Sequence, residues 1–193
     1  MSNQHSPKLY LQPLSWSDLD QIHQLNSHPL VARFNTLGIP NNLEETKTIM
    51  SRVLDQNVGR STSRFGWTIK HVETEEFIGE VGLSLSAPRF SKGEIFYNLL
   101  PKFWGQGLGT EAAGLLLKLG FEELRLHRIE AGASVNNLAS IRVLEKIGMK
   151  REGRGIKILP IDGNWQDNYS YAILGEDYLI IQNEEKLDLD RLQ

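Results

Sequence analysis

Gly105, Gly107 and Gly109 pack three glycines into five residues, between one run that reads as a strand and another that reads as a helix. The stretch 101–118, PKFWGQGLGTEAAGLLLK, therefore constrains this chain more than any other. Before it, GEIFYNLL at 93–100 is aromatic and branched enough for a strand. After it, Leu108, Ala112, Leu115, Leu116 and Leu119 recur at i, i+4, i+7, i+8 and i+11, one face of a helix. Strand, glycine turn, helix is an order that aims free backbone N–H groups and the positive end of the helix dipole at one spot. Such a spot suits a phosphate or pyrophosphate, and glycines let the backbone approach with no Cβ in the way. A helix cap that binds nothing would also satisfy the pattern.

Two nucleotide-binding patterns fail here. A P-loop needs GxxxxGK followed by Ser or Thr, and no Lys-Ser or Lys-Thr follows these glycines. A dinucleotide fingerprint needs GxGxxG, but Thr110 stands at the third glycine. Glu130 lies near the distance of a ribose-binding acid, yet falls inside the next strand rather than at its end.

Upstream, Lys8 to Leu14 reads as a first strand, after a polar leader, Met1 to Pro7, expected to fray. Ser15-Trp16-Ser17-Asp18 starts a helix that Leu19, Ile22 and Leu25 continue and Pro29 stops. Asn42 reads as the N-cap of a second helix, with Glu45 at the capping-box position. Phe65–His71 and Glu76–Leu85 read as strands. Downstream, HRIEAGASV at 127–135 reads as a strand leading to Asn136-Asn137 and a short helix closed by Gly148. A closing strand pair follows around Arg151–Leu159 and Trp165–Leu174. Gly120 interrupts the long helix at a cost of about 1 kcal/mol against Ala, with nothing in the sequence to explain it. The order of elements is mixed α/β: hairpins first, crossovers later. A doubly wound fold would alternate from the start.

At 193 residues the chain suits one well-buried domain. Its net charge of −3, with no basic block, argues against nucleic-acid binding. The chain has no cysteine, which removes disulfides, thiolate metal sites and an acyl-cysteine intermediate. The five histidines (His5, His23, His28, His71, His127) show no HxH or HExxH spacing, so no metal is expected. No apolar run is long enough for a signal peptide or a membrane span. A cytoplasmic protein is expected.

FWGQGLGTEA at 103–112, NLAS at 137–140, VLEKIGMKREG at 143–153 and D-N-Y-x-Y at 167–171 together resemble the GNAT superfamily of acyl-CoA N-acyltransferases. The likeness is greatest to the RimJ/RimL-type branch, which modifies ribosomal-protein N-termini. It covers roughly residues 8–178 by element order, with the motifs in 92–175. It implies a mixed α/β (α+β) fold: a central, mostly antiparallel twisted sheet flanked by helices, with a splayed strand pair that holds the cofactor. It implies a single N-acetyltransferase domain over 1–193, with a core of about 8–178 and loose ends at 1–7 and 184–193. Acetyl-CoA is the implied cosubstrate. The pantetheine arm would lie on Asn98, Leu99 and Leu100, and the pyrophosphate on Trp104, Gly105, Gln106, Gly107, Leu108, Gly109 and Thr110. Asn137 and Ser140 would meet the cofactor near its sulfur, although Asn137 is also a natural helix cap.

The resemblance also implies departures. Many members place an acidic Tyr seven residues after the Asn, where this chain has Leu144. The alanine-acetylating branch places a base Glu five residues before it, where this chain has Gly132. Ser140 is then the hydroxyl left to meet the sulfur, as in serine-acetylating relatives, with Tyr97 in reserve. Glu94 is the first candidate base, Glu80 the second, and Asp167 a third; a chain of waters is the alternative. Arg33-Phe34-Asn35 stands where relatives approach the acceptor.

Amide formation from a thioester needs a neutral amine. An α-amine has a pKa of about 8, whereas lysine sits near about 10.4. A site poor in bases is thus expected to prefer an α-amine, attacking directly in a ternary complex. The expected acceptor is a protein or peptide N-terminus. A small amine such as a polyamine or an aminoglycoside is the alternative, and a non-catalytic acyl-CoA sensor is a third. A monomer or a homodimer would suit any of these.

Overall fold

The computed structural model of the protein describes residues 4–54 and 64–191. An eight-stranded sheet runs through it in the order β1-β2-β3-β4-β5-β6-β8-β7. These strands are β1 (Gln4–His5), β2 (Leu9–Pro13), β3 (Arg64–His71), β4 (Phe77–Leu85), β5 (Lys92–Leu99), β6 (Arg128–Ser134), β7 (Lys150–Ile161) and β8 (Asn164–Leu174). Every neighbouring pair is antiparallel except β5 and β6, which are parallel. The mixed, mostly antiparallel sheet expected from the sequence is the one observed.

Helices cover both faces, so β4 is buried on both sides along Phe77–Leu83 save for Glu80. On one face lie α1 (Leu19–Asn26) and α3 (Leu43–Leu54), packed on each other and on β4 and β3. On the other, α4 (Leu108–Lys118) packs on β2, β4 and β5. Its buried stripe includes Leu108, Ala112, Leu115 and Leu116, as the periodicity predicts, and each fully buried leucine contributes about 1.5–3 kcal/mol. Helix α5 (Leu138–Lys146) leans on α4 and β6, and α6 (Gly175–Arg191) on β8.

Local chemistry departs from the sequence reading in four places. Pro29 does not simply end a helix: Ser27 caps α1, and Pro29 opens the short α2 (Pro29–Ala32) at its first turn, where its missing N–H costs nothing. Asn42 caps α3 through Glu45 N at 3.0 Å, but the Glu45 carboxylate reaches back to Asn41 N at 2.7 Å rather than to Asn42. After α4 the chain widens into a π turn over Leu119–Glu123, which brings Gly120 against β6. A Cβ on Gly120 would sit 2.5 Å from Ile129 Cδ1, so the glycine buys close helix–strand approach. The ends expected to be loose are structured where described: β1 pairs Gln4 with Leu11 and His5 with Tyr10, and α6 continues to Arg191. Residues 1–3 and 192–193 lie outside the described residues.

Candidate active site

The parallel pair β5–β6 holds together only at Lys92–Glu94 with Arg128–Glu130. Beyond Glu94 the two strands separate, and the sheet is split. Which groups face the split follows from the ladder. Leu100 N donates to Ile78 O at 2.9 Å, toward β4. Antiparallel pairing alternates, so the backbones of Asn98 and Phe96 also turn to β4, while those of Tyr97 and Leu99 turn into the split. Of the strand residues expected to carry the pantetheine arm, Leu99 therefore presents its backbone to the opening, and Asn98 and Leu100 do not.

A cavity of about 780 Å³ occupies the split. Side chains alternate across a strand, so Tyr97 lies on the α4 face and Asn98 on the α1 face. Both line the cavity, along with residues of α1, α3, α4 and α5, so it crosses the sheet from one face to the other.

At its α4 end the glycine turn does what the sequence predicts of it geometrically. Gly107 caps α4 at φ +81°, a conformation that favours glycine. Thr110 N and Glu111 N bond back to Gly107 O at 3.0 and 3.1 Å. The N–H groups of Leu108 and Gly109 are left at the free positive end of the helix. Gly105, Gly107, Leu108, Gly109 and Thr110 line the cavity, whereas Gln106 does not: its side-chain amide folds back to Lys102 O at 2.9 Å. Trp104 also lines the cavity. It is 47% exposed, and its indole N–H donates to Leu99 O at 2.7 Å, fixing the end of β5.

Across the split, Asn137 caps α5 by accepting from Ser140 N at 3.2 Å. Ser140 Oγ lies 2.8 Å from the Tyr97 hydroxyl, which also donates to Ser140 O at 3.2 Å. Burial pushes the Tyr97 hydroxyl up to about 12, partly offset by Ser140. Leu144, where relatives carry tyrosine, is fully buried in the core. Tyr97 thus supplies from β5 a phenol that many relatives supply from α5. A Cβ on Gly132, where others carry glutamate, would meet the Asn168 amide at 3.1 and 3.2 Å. The Asn168 side chain fills that space and lines the cavity.

The three candidate bases differ sharply. Asp167 is held by Lys157 N at 2.8 Å and Arg154 Nε at 2.8 Å, which keep its carboxyl below the usual range. It does not line the cavity, so its candidacy ends there. Glu94 lines the cavity but is exposed, at the apex of the split. Glu80 lines it from the α1 face, where burial pushes its carboxyl above the ordinary value against the pull of hydrogen bonds from Asn98 and Asn26. Asn98 Nδ2 donates to Glu80 Oε1 at 3.1 Å.

Among the polar cavity residues that the sequence reading did not single out are Asn26, Asn168, Arg142 and Lys146. Asn26 had a signal, since it falls four residues after Ile22 on the apolar face of α1. Arg142 and Lys146 stand one turn apart on α5, after the Asn137 cap. Phe34 and Asn35 line the cavity as expected of the segment after α1, while Arg33 stacks over the Phe34 ring at 5.1 Å.

These residues fit a CoA thioester. Free N–H groups at a helix start and two nearby cations suit its phosphates, and the strand edge at Tyr97 and the N–H of Leu99 suit its amide-bearing arm. A cleft of this kind defines a class of acyl-transferring proteins. Residues 8–150 match the family described as "Acetyltransferase (GNAT) domain", and the chain belongs to that family. It is 27% identical over 178 residues to the uncharacterized N-acetyltransferase p20 of Bacillus licheniformis, covering 92% of this chain and 99% of that one. Over 87 residues it is 36% identical to YdaF of Bacillus subtilis, provisionally named a ribosomal N-acetyltransferase, covering 45% of this chain and 48% of that one. A spermidine N-acetyltransferase from Vibrio cholerae, solved with CoA and spermine, shares the fold at a TM-score of 0.80 and 22% identity, covering 90% of this chain and 99% of that one. The protein is an N-acetyltransferase. Among the described residues, no helix is long and apolar enough to cross a membrane.

Proposed function

We propose that the protein is a cytoplasmic, acetyl-CoA-dependent N-acetyltransferase acting on the α-amine of a peptide or protein N-terminus, by direct attack in a ternary complex. The observation that carries this reading is the Tyr97–Ser140 hydroxyl pair, 2.8 Å apart beside the split and within reach of the glycine turn's cavity. Acetyl-CoA supplies an activated acetyl thioester when bound. The N–H groups of Leu108 and Gly109 hold its phosphates, and Leu99 and Tyr97 offer backbone partners to its arm. Ser140, backed by Tyr97, donates a hydrogen bond to the leaving sulfur. A phenol at about 12 does not surrender its proton outright to a thiolate whose conjugate acid lies near about 8.5. The pair therefore stabilises charge, worth about 1.5–3 kcal/mol for a bond to a charged group, and the proton comes from the amine.

An amine that is already partly neutral suits such a site, which supports an α-amine over lysine. The test follows CoA release at pH 7 with four acceptors: a peptide with a free N-terminus, the same peptide N-blocked with a free lysine, a polyamine and an aminoglycoside. Fastest turnover of the free N-terminus is expected. Faster turnover of the blocked lysine peptide refutes the acceptor assignment, and turnover of the polyamine or aminoglycoside alone replaces it with a small amine.

A further inference from the structure

The α1 end of the cavity contains a hydrogen-bond acceptor with no donor. Asn26, the last residue of α1, is 5% exposed and lines the cavity. Its side-chain amide helps to hold the charge of Glu80, and its Oδ1 is buried without a partner among the described residues. An unpaired buried polar atom is costly, and a buried carboxylate needs compensation as well. Among the described residues the groups that support the Glu80 charge are two neutral amides: Asn98, which donates to it at 3.1 Å, and Asn26. Two demands for donors thus meet at one place on the cavity wall, on the face opposite Tyr97 and Ser140. An amino group is the complement: several N–H donors, and a positive charge when protonated.

The surroundings narrow the class further. The wall around this cluster is apolar: Ile22, Leu30, Val31, Phe34, Met50 and Phe96. Leu30 and Phe96 are 48% and 42% exposed, so apolar surface continues toward the mouth. Glu94 is the one other carboxylate lining the cavity. It stands four residues from Asn98 on β5, about 13 Å along the strand at about 3.4 Å per residue. The Phe96 ring lies between them, over Gly82, the cross-strand partner of Phe96. With one carboxylate at the seat and Glu94 set apart beyond the Phe96 ring, the gallery suits one charge on an apolar body. A chain of several ammonium groups would leave its other charges against leucine and phenylalanine.

We propose that Asn26, Glu80 and Asn98 form the seat for the acceptor's amino group, and that the acceptor is a monoamine on an apolar body, such as a peptide whose first side chain is bulky and apolar. This deepens the acetyl-transfer reading and rests on it for the direction from which the amine approaches. Asn26 and Glu80 act as binding residues, not as a proton relay.

The test is calorimetric titration of CoA-loaded protein with three probes: a phenylalanine-initial tripeptide amide, the same peptide N-acetylated, and spermidine. The free peptide is expected to bind the wild type, and the blocked peptide to show no binding. Spermidine should bind at least about tenfold more weakly than the free peptide. Asn26→Leu and Glu80→Gln should each weaken the free peptide about tenfold or more, with CoA affinity unchanged. Asn26→Leu removes the unpaired carbonyl but also the amide beside Glu80, so its melting point is read against that of Glu80→Gln, which is expected to keep the fold. A merely structural asparagine would instead lower the melting point and leave peptide affinity alone. Undiminished peptide binding in both variants, spermidine binding as tight as the peptide, or no peptide binding to the CoA-loaded wild type overturns the seat. Peptide binding that both variants lose, with no CoA release from acetyl-CoA in the wild type, refutes the acetyl-transfer reading and keeps the seat.

Discussion

Tyr97 and Ser140 come from different elements, a strand and a helix, and meet across the split at 2.8 Å. Leu144 brings no hydroxyl to the split, so this pair is the phenol and alcohol that meet there. If it acts as a unit, its members are not additive. Tyr97→Phe and Ser140→Ala are each expected to lower kcat by about 10- to 100-fold, and the double variant little further. Steady-state kinetics of the four proteins checks this, with CoA-induced melting shifts as the control for binding. Tyr97 also leaves a mark on stability. Its hydroxyl ionises at about 12 in the fold and near 10 when unfolded. Between pH 10 and 12 the unfolded chain has shed a proton that the native state keeps, so unfolding is favoured as pH rises. That contribution declines by about 1 kcal/mol per pH unit at most. Urea unfolding from pH 9.5 to 12 is expected to show a shallower decline in Tyr97→Phe than in wild type. Tyr10 and Tyr171 are also shifted upward, by Glu75 and by burial respectively, so the difference between the two proteins is the readout.

At the scale of elements, Gly120 separates what a helix wants from what the sheet allows. Propensity alone favours Gly120→Ala by about 1 kcal/mol. The contact with Ile129 reverses the sign, because the new methyl would stand 2.5 Å from Cδ1 in a packed core. Overpacking of this kind costs about 1–3 kcal/mol, so Gly120→Ala is expected to lower stability in denaturant titration; a gain would show that the π turn can relax. The same residue shows where sequence stops being readable. Periodicity locates α4 because Leu108 to Leu116 bury one stripe against the sheet. It cannot find the π turn, which sets Gly120 against Ile129 of β6. Pro29 is similar: a proline both ends and begins helices, and only the His28–Leu30 geometry decides which. The site divides along the same line. The glycine turn and the Asn137 cap are local and legible. The Glu80–Asn98–Asn26 cluster depends on the register that sets Glu80 opposite Asn98 and on α1 packing above them, and neither can be read along the chain.

For the molecule as a whole, three residues of parallel pairing are all that stitch β1–β5 to β6–β8 within the sheet. The Lys92–Glu130 ion pair at 2.7 Å, the bond from His127 N to Ser91 O and the packing of α4 and α5 add to the join. On the far side of β5 every second peptide group is already bonded to β4. Along Phe96–Leu99 the strand is therefore two strands in one as far as solvent is concerned. Amide protons of Phe96 and Asn98 belong to a closed ladder, whereas those of Tyr97 and Leu99 face the opening. Site-resolved hydrogen exchange is expected to read this as an odd–even alternation in the ligand-free protein, fast at Tyr97 and Leu99 and slow at Phe96 and Asn98. Saturating CoA should slow the odd residues and leave the even ones where they were, because the bound arm would take the place of the missing neighbour. Uniform protection before and after CoA would mean that the arm lies elsewhere. On the proposed reading, a sheet left unfinished in this way is completed afresh at each turnover, so the strand edge that most proteins must hide becomes, here, a surface that is covered and uncovered with every acyl group delivered.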